Sequence, residues 1–333
     1  MIRYLRLSQS FNGLKPKLGE ESFFDSLGSD NRIRPFFNIY RAQSSRYQPK
    51  AKTFPFLWAS WIRAVVESPD KILIGIDYAS QEFLISALLS EDEKMIEAYR
   101  SGDPYLYIGK QAGAIPQDGT KESHKKERNI FKWVTLGISY AMTKVGLSRQ
   151  LTTQLGQDFS EEEAENLINL FFRVFPKYKL YTELIQKKYR VQRCIKLPDG
   201  WYMFGDNDNI RSVGNMPIQG TGACILRKAI ELCQDNKLSV IFPLHDALYI
   251  EIDKENYLEK IDLFFKLMKE AFLFYFEDKV SASLIRFDCV AWAKFLNCNT
   301  VTTSNGNQVV TKNIYIDDRG KSEYEVFSKY FED

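Results

Sequence analysis

From Lys71 to Ile76 the chain reads KILIGI, a short apolar run rich in β-branched residues that follows a Ser-Pro-Asp turn and ends at Asp77. That pattern predicts a buried strand with a carboxylate emerging at its end. From about Ser80 to Tyr189 the apolar spacing turns helical, through QEFLISALL, DEKMIEAYR, the stretch around Arg128 and SEEEAENLINLFFRVF. In the last of these, Ser160 and Glu163 form a capping-box pattern. After Pro198-Asp199-Gly200 the chain returns to turns, then to a helix from about Met216 to Asp235, then to a β pair around Asp246. The first 70 or so residues mix short apolar runs with turns at Asn12-Gly13 and Gly28 to Asn31, which reads as strands and loops. The last 35 or so are polar, contain Ser-Asn-Gly-Asn and read as an appendage. The expected class is therefore α+β, with a helical block inserted between strands and no internal repeat.

Composition narrows the picture only a little. A chain of 333 residues buries a sizeable core and suits one large or two ordinary domains. Basic and acidic residues nearly cancel, 45 against 43, so the distribution of charge matters more than its sum. Between Asn31 and Val66 there is no acid, while Arg32, Arg34, Arg41, Arg46, Lys50, Lys52 and Arg63 stand among eight aromatic rings. Cations interleaved with flat apolar side chains suit a nucleic-acid track, and a solvated basic edge strand suits the same residues. Cys194, Cys224, Cys233, Cys289 and Cys298 contain no C-x-x-C pair, and His124 and His245 are the only histidines, which argues against zinc. The cysteines read as reduced, mostly buried thiols. No apolar run approaches the roughly 20 residues that span a bilayer, and the N-terminus lacks a signal core, so neither a membrane nor secretion is expected. A cytoplasmic setting follows, with an organelle presequence at Arg3 and Arg6 left open beside ordinary strand residues.

The chemistry lies in an ordered set of polar residues. Asp77 ends one apolar strand, and Asp246 follows a second, SVIFPL, at a tight connection before ALYIEI. Carboxylates at the ends of adjacent strands can share divalent cations, and two such ions suit in-line displacement at phosphorus. The plain alternative is that each aspartate simply ends its strand. If residues 128 to 141 are helical, Arg128, Lys132, Leu136 and Tyr140 form one slowly drifting stripe, with Ile130, Phe131, Val134 and Ile138 on the other side. The cations suit the phosphates of a nucleotide, Leu136 and Tyr140 its sugar and base. An ordinary amphipathic surface helix carries such residues too. Asn215 and Gln219 sit one turn apart near a helix start, with Arg211 a turn earlier. Their amides suit the acceptors of a minor groove, and capping or turn formation is the simpler use. Together the order and spacing describe a site for two metal ions, a triphosphate and a paired base.

These residues resemble the polymerase core of family A DNA polymerases, the bacterial polymerase I and phage replicative group. Asp77-Tyr78 with Glu82 resembles the family's first motif, Arg128, Lys132 and Tyr140 its second, and His245-Asp246 its third. Arg211, Asn215 and Gln219 resemble the intervening helix, and RIRP with SSRYQP resembles a diverged primer-template segment that includes Arg46. The likeness covers roughly residues 30 to 292.

The resemblance implies a right-hand fold: a palm of antiparallel strands carrying Asp77 and Asp246, and helical fingers carrying Arg128 to Tyr140. The implied divisions are an N-terminal palm and template-primer segment at 1–79, fingers at 80–210, palm at 211–293 and an appendage at 294–333. It implies template-directed DNA synthesis from dNTPs on primer-template DNA with two Mg²⁺ ions, or Mn²⁺ in their place. Asp77, Asp246 and the Tyr78 main chain would hold metal, and Lys132 would act with the two aspartates in catalysis. Arg128, Lys132, Leu136, Tyr140 and Glu82 would bind the dNTP. Arg46, Arg211, Asn215, Gln219 and His245 would meet DNA. Glu82, hydrogen-bonded to Tyr140, would exclude a 2′-hydroxyl.

Departures from the family pattern matter. Leu136 stands where Phe or Tyr is usual, Ala247 replaces the acid that usually follows the third-motif aspartate, and Leu84 and Ala141 stand for Arg and Gly. The 70 or so residues before the first motif are too few for thumb and exonuclease domains, so proofreading is not expected, and grip on duplex DNA is expected to be weak unless a separate polypeptide supplies the missing domain. One rival reading is a catalytically silent polymerase-like DNA-binding or assembly subunit. Against it, an unused metal site leaves clustered acids repelling each other. A metal-dependent phosphohydrolase built on the His-Asp pair is the weaker rival, with so few histidines.

Overall fold

A computed structural model of the chain describes residues 29–30, 34, 36–38, 42–49, 70–204, 210–293, 295–297 and 299–313. Arg32, Arg41, Lys50, Lys52 and Arg63 of the basic track, Cys298, and the tail after residue 313 lie outside the described residues. In chain order the described strands and helices begin with β1 (Phe37–Asn38), β2 (Gln48–Pro49) and β3 (Lys71–Tyr78). The helical block follows as α1 (Gln81–Ser90), α2 (Glu93–Arg100), α3 (Pro104–Gln111), α4 (Lys125–Ser139), α5 (Lys144–Leu155), α6 (Glu161–Val174) and α7 (Pro176–Gln192). Next come β4 (Ile195–Lys196), β5 (Tyr202–Met203), α8 (Ile210–Val213), α9 (Met216–Asp235), β6 (Ser239–Leu244), β7 (Ala247–Asp253) and α10 (Tyr257–Phe276). β8 (Phe287–Ala293), β9 (Asn299–Thr302) and β10 (Gln308–Asn313) complete them.

By their contacts these elements form two units. The described parts of Met1–Ala79, Ile225–Phe274 and Ile285–Asp333 make one, and Ser80–Cys224 with Tyr275–Leu284 make the other. The first is built on a six-stranded sheet in the order β6-β7-β3-β8-β10-β9, antiparallel except for the β8–β10 pair. Strand β3 lies near its middle, paired on both sides, and buries one face completely. Ile72, Ile74 and Ile76 are fully buried on one face, each side chain contributing about 1.5–3 kcal/mol. Tyr78 continues that face, packing against Phe272 of α10 and Phe287 of β8, and its hydroxyl donates to the Met268 carbonyl at 2.6 Å. The other face carries Leu73, Gly75 and Asp77. A Cβ on Gly75 would lie 2.5 Å from the Tyr249 ring, so only glycine leaves room for the stack of Phe242, Tyr249 and Trp292 across three strands.

The sheet does not end where the expected appendage begins. Residues 299–313 add β9 and β10, because a segment that looks uniformly polar hides an alternation: Val309 and Thr311 are buried, with Val310 exposed between them. The Ser-Asn-Gly-Asn loop turns between these two strands, with Gly306 at φ 80° and its N–H bonded to the Thr303 carbonyl.

The helical unit is held by its caps and an apolar interior. Asp92, almost fully buried, caps α2 by accepting from Met95 N–H, while its other oxygen accepts from Lys177 and Tyr178 N–H at the start of α7. One carboxylate thus satisfies donors of two helix N-termini. The capping box at Ser160 and Glu163 is formed in full. The β4–β5 hairpin and the start of α9 share a core with α7 through Tyr189, Leu197, Met203, Val213, Met216 and Cys224. That core carries the helical unit past the expected boundary at 210 to Cys224, and Arg211, Asn215 and Gln219 belong with it. Among the described residues no helix is long and apolar enough to cross a membrane.

Candidate active site

In the sheet unit, Asp77 lies next to the end of β3 on the face it shares with Gly75. Its neighbour across β7 is Ala247, and across β8 it is Asp288. Asp246 precedes Ala247 in the tight turn that joins β6 to β7, a turn made possible by His245 in the left-handed region at φ 54°. The strand pairing therefore brings together two aspartates that are far apart in sequence. The Asp77 carboxyl is pushed up to about 7, first by loss of hydration and then by the charges of Asp246 and Asp288, against a hydrogen bond from the Tyr78 N–H. The residue nonetheless keeps an exposed surface.

Arg46 joins this group. Its Nη2 donates to Asp246 Oδ1 at 3.0 Å, both side chains being largely covered. The segment that carries it is fixed by Arg227 of α9, whose Nη1 donates to the Ser45 carbonyl at 3.0 Å and meets its hydroxyl at 3.1 Å. Ser45 itself is in the left-handed region at φ 54°. Arg46, which the resemblance assigns to DNA, here meets the aspartate.

Among the described residues no group of three or more His, Cys, Asp or Glu is arranged to hold a metal ion. Two carboxylates are still a donor set of a recognised kind. Mg²⁺ keeps several waters and is commonly held by one or two carboxylates plus substrate phosphates, with no all-protein cage. The mutual repulsion felt at Asp77 is what a cation between the acids relieves.

In the helical unit, the stripe on α4 is formed as its spacing predicts. Phe131, Val134, Thr135 and Gly137 are buried, Arg128, Lys132 and Leu136 half-buried, and Tyr140 caps the helix end and is exposed. Ile130 and Ile138, expected on the packed side, are only half-buried. Lys132 Nζ lies 5.7 Å from the Trp133 ring centroid. Arg128 Nε donates to Asp103 Oδ2 at 2.5 Å, and its guanidinium lies 5.2 Å from the Tyr105 ring centroid. Glu82 sits half-buried in the first turn of α1. Burial raises the Tyr105 and Tyr178 hydroxyls first, and the Glu82 charge adds to the rise at both. The hydroxyl of Tyr140 makes no hydrogen bond among the described residues, so the expected Glu82–Tyr140 bond is not formed here.

Asn215 is 7 % exposed, and both atoms of its amide are buried without a hydrogen-bond partner among the described residues. Gln81, beside Glu82, is in the same condition at 2 % exposure. Leaving such groups unmet costs about 1–3 kcal/mol each. Gln219 is half-buried, its N–H bonded to the Asn215 carbonyl at 3.1 Å, and Arg211 is exposed on α8.

Sequence reasoning passed over Asp288, Asp103, Tyr105 and Gln81. Asp103 before Pro104 was legible as a helix N-cap, but its second oxygen reaches a residue 25 positions on. Asp288 lies in an alternating strand, RFDCVAWA, whose register against β3 no local pattern reveals.

Comparison with known proteins gives a consistent picture. Residues 29–284 match the family described as DNA polymerase family A. DNA polymerase I of Aquifex aeolicus (strain VF5) is 27 % identical over 205 residues, covering 59 % of this chain and 35 % of that protein. DNA polymerase I of Bacillus caldotenax is 30 % identical over 226 residues, covering 62 % and 24 %. The DNA polymerase of Mycobacterium phage D29 is 25 % identical over 241 residues, covering 71 % and 38 %. The match thus spans about a quarter to two fifths of these relatives' length. The POL domain of Pol1 from M. smegmatis, in complex with DNA primer-template and dNTP, has the same fold. Its TM-score is 0.67 at 21 % identity, covering 86 % of this chain and 50 % of that one.

Proposed function

The chain belongs to DNA polymerase family A, and from that premise we propose that it catalyses template-directed DNA synthesis, joining a deoxynucleoside triphosphate to a primer 3′-hydroxyl. The observation that supports this reading is the register of β3 against β7, which sets Asp77 opposite Ala247 and so beside Asp246 in the preceding turn. Two carboxylates set side by side, one of them also paired with Arg46, suit a divalent cation.

Asp77, Asp246 and the main chain at Tyr78 would hold two Mg²⁺ ions, with Mn²⁺ as a substitute. When bound, such ions supply activation of the 3′-hydroxyl and charge neutralisation at the departing pyrophosphate. The protein's own side chains do the rest. Arg128 and Lys132 bind the triphosphate, with Lys132 also neutralising charge as the phosphoryl group transfers. Leu136 and Tyr140 pack against sugar and base, and Glu82 occupies the space a 2′-hydroxyl would need. His245, Arg211, Gln219 and Asn215 contact primer-template DNA, and minor-groove acceptors would satisfy the Asn215 amide. Arg46 bridges both roles, holding Asp246 in the free protein and turning to DNA in the complex.

Primer extension by the purified chain with Mg²⁺ or Mn²⁺ tests the reading. Wild type extends the primer, and Asp77→Ala and Asp246→Ala fall to background. Equal extension by all three would assign the activity to a contaminant. Tight primer-template binding that responds to neither metal nor matching dNTP would make the chain a silent DNA-binding subunit.

A further inference from the structure

Asp103 uses its two oxygens on two different elements. Oδ1 accepts the Tyr105 and Leu106 N–H groups, both at 3.1 Å, and so caps α3. Oδ2 accepts from Nε of Arg128 on α4. In the same turn, Tyr105 places its ring against the guanidinium. The Ser80 side chain lies close enough to the Tyr105 hydroxyl to hold its upward shift in check, and Ser80 is itself in the left-handed region at φ 53°. The side chains of Arg128 and Asp103 are only 15 % and 20 % exposed, so solvent screens the pair weakly.

We propose that Asp103, assisted by Tyr105, is a positioning residue that fixes the Arg128 guanidinium for phosphate binding. A guanidinium has one Nε and two Nη groups in a single plane. With Nε engaged by a carboxylate and the ring of Tyr105 close by, the plane is set. The two Nη groups, which make no hydrogen bond among the described residues, form a fork that matches two phosphate oxygens. A long side chain that would otherwise sample many rotamers is thereby ordered before the ligand arrives. The same carboxylate caps the helix, which locks its own rotamer. Asp103 touches no substrate in this scheme and acts only through Arg128.

The inference rests on the reading of Arg128 as a triphosphate cation, and the experiment separates the two. Binding of inorganic tripolyphosphate to the full chain is measured by isothermal titration for wild type, Asp103→Asn, Asp103→Ser, Arg128→Ala, and Asp103→Asn combined with Arg128→Ala. Asn and Ser both retain the helix cap while removing the charged acceptor, and thermal melting identifies the better folded of the two for the comparison. Arg128→Ala is expected to weaken binding about tenfold and Asp103→Asn about fivefold. The double variant should bind no more weakly than Arg128→Ala alone, a non-additivity that a merely structural role does not produce. Asp103→Glu should recover part of the loss.

An Asp103 variant that binds as tightly as wild type, or more tightly because the arginine charge is now uncompensated, overturns the positioning role. So does a loss that adds in full to that of Arg128→Ala. Wild-type affinity in Arg128→Ala overturns instead the phosphate role of Arg128, and the positioning role with it. A wild type that does not bind tripolyphosphate has the same consequence.

Discussion

Asp77 and Asp288 stand directly opposite each other in the ladder between β3 and β8. On the other side of Asp77, the facing residue on β7 is Ala247. The second charge flanking Asp77 thus comes from β8, where the strand order alone would not have placed it. Asp246 raises the Asp77 carboxyl more than Asp288 does. Asp288→Asn should therefore lower the Asp77 pKa from about 7, and Asp246→Asn should lower it further. Carboxyl titration by NMR in the presence of a chelator reads both shifts, and an Asp77 resonance that ignores Asp288→Asn would show that the two charges do not communicate.

The same group gives the metal-free chain a pH-dependent stability. Asp77 rises from an ordinary value of 3.8 to about 7 on folding, so the folded state holds the proton more tightly than the unfolded state. Its contribution is complete below the unfolded value and is lost as pH rises through the folded one. In chelator, the melting temperature should fall between about pH 4 and pH 7, and Asp77→Asn should flatten that decline. Scanning fluorimetry across this range decides it, and an identical slope in the variant would rule Asp77 out as its source.

How much of this could be read from the sequence depends on the range of the interaction. The strand ending at Asp77, the capping box at Ser160 and the helix from Met216 to Asp235 all agree with the structure, because periodicity and caps act over a turn or two. The candidate residues on α4 were legible for the same reason. Asp288, by contrast, acquires its meaning only from the register of β8 against β3. Asp103 acquires its meaning from an ion pair between two helices. The burial of Asn215 depends on the core shared by α7, the β4–β5 hairpin and α9, so its amide could be named from the sequence but its surroundings could not. The strands after residue 298 were missed because, among the described residues, their buried positions are Val309 and Thr311 alone, too few to raise the apolar signal above a polar background.

Glu82 offers a test of sugar selection. It is half-buried in the first turn of α1, where its negative charge is felt at Tyr105 and Tyr178. Truncation to alanine opens space beneath a bound sugar and removes an acid that a 2′-hydroxyl would crowd. Glu82→Ala should raise ribonucleotide use relative to deoxyribonucleotide use by roughly tenfold or more, measured as the ratio of kcat/KM for paired rNTP and dNTP. An unchanged ratio would remove Glu82 from the selectivity mechanism and turn attention to its buried neighbour Gln81.

Asp262 on α10 gathers the turn between β9 and β10, accepting from the Thr303 hydroxyl, from Asn307 Nδ2 at 2.6 Å, from the Ser304 hydroxyl at 2.9 Å and from the Asn305 N–H at 3.2 Å. Loss of hydration would raise its carboxyl, but the hydrogen bonds from Thr303, Asn307, Ser304 and Asn305 outweigh it and hold the group below the ordinary aspartate value. A depressed folded value means that the contribution is present above the unfolded value and disappears as pH falls through the folded one. Asp262→Ala leaves several donors without their acceptor and should cost about 2–3 kcal/mol at neutral pH, read from urea melts. Asp262→Asn, which keeps one acceptor oxygen, should cost less. Below the ordinary aspartate range the wild type and the alanine variant should converge, because protonation removes the charge on which the turn depends. A difference that stays constant down to acid pH would mean that packing of the hairpin, and not the carboxylate, holds β9 and β10 in the sheet.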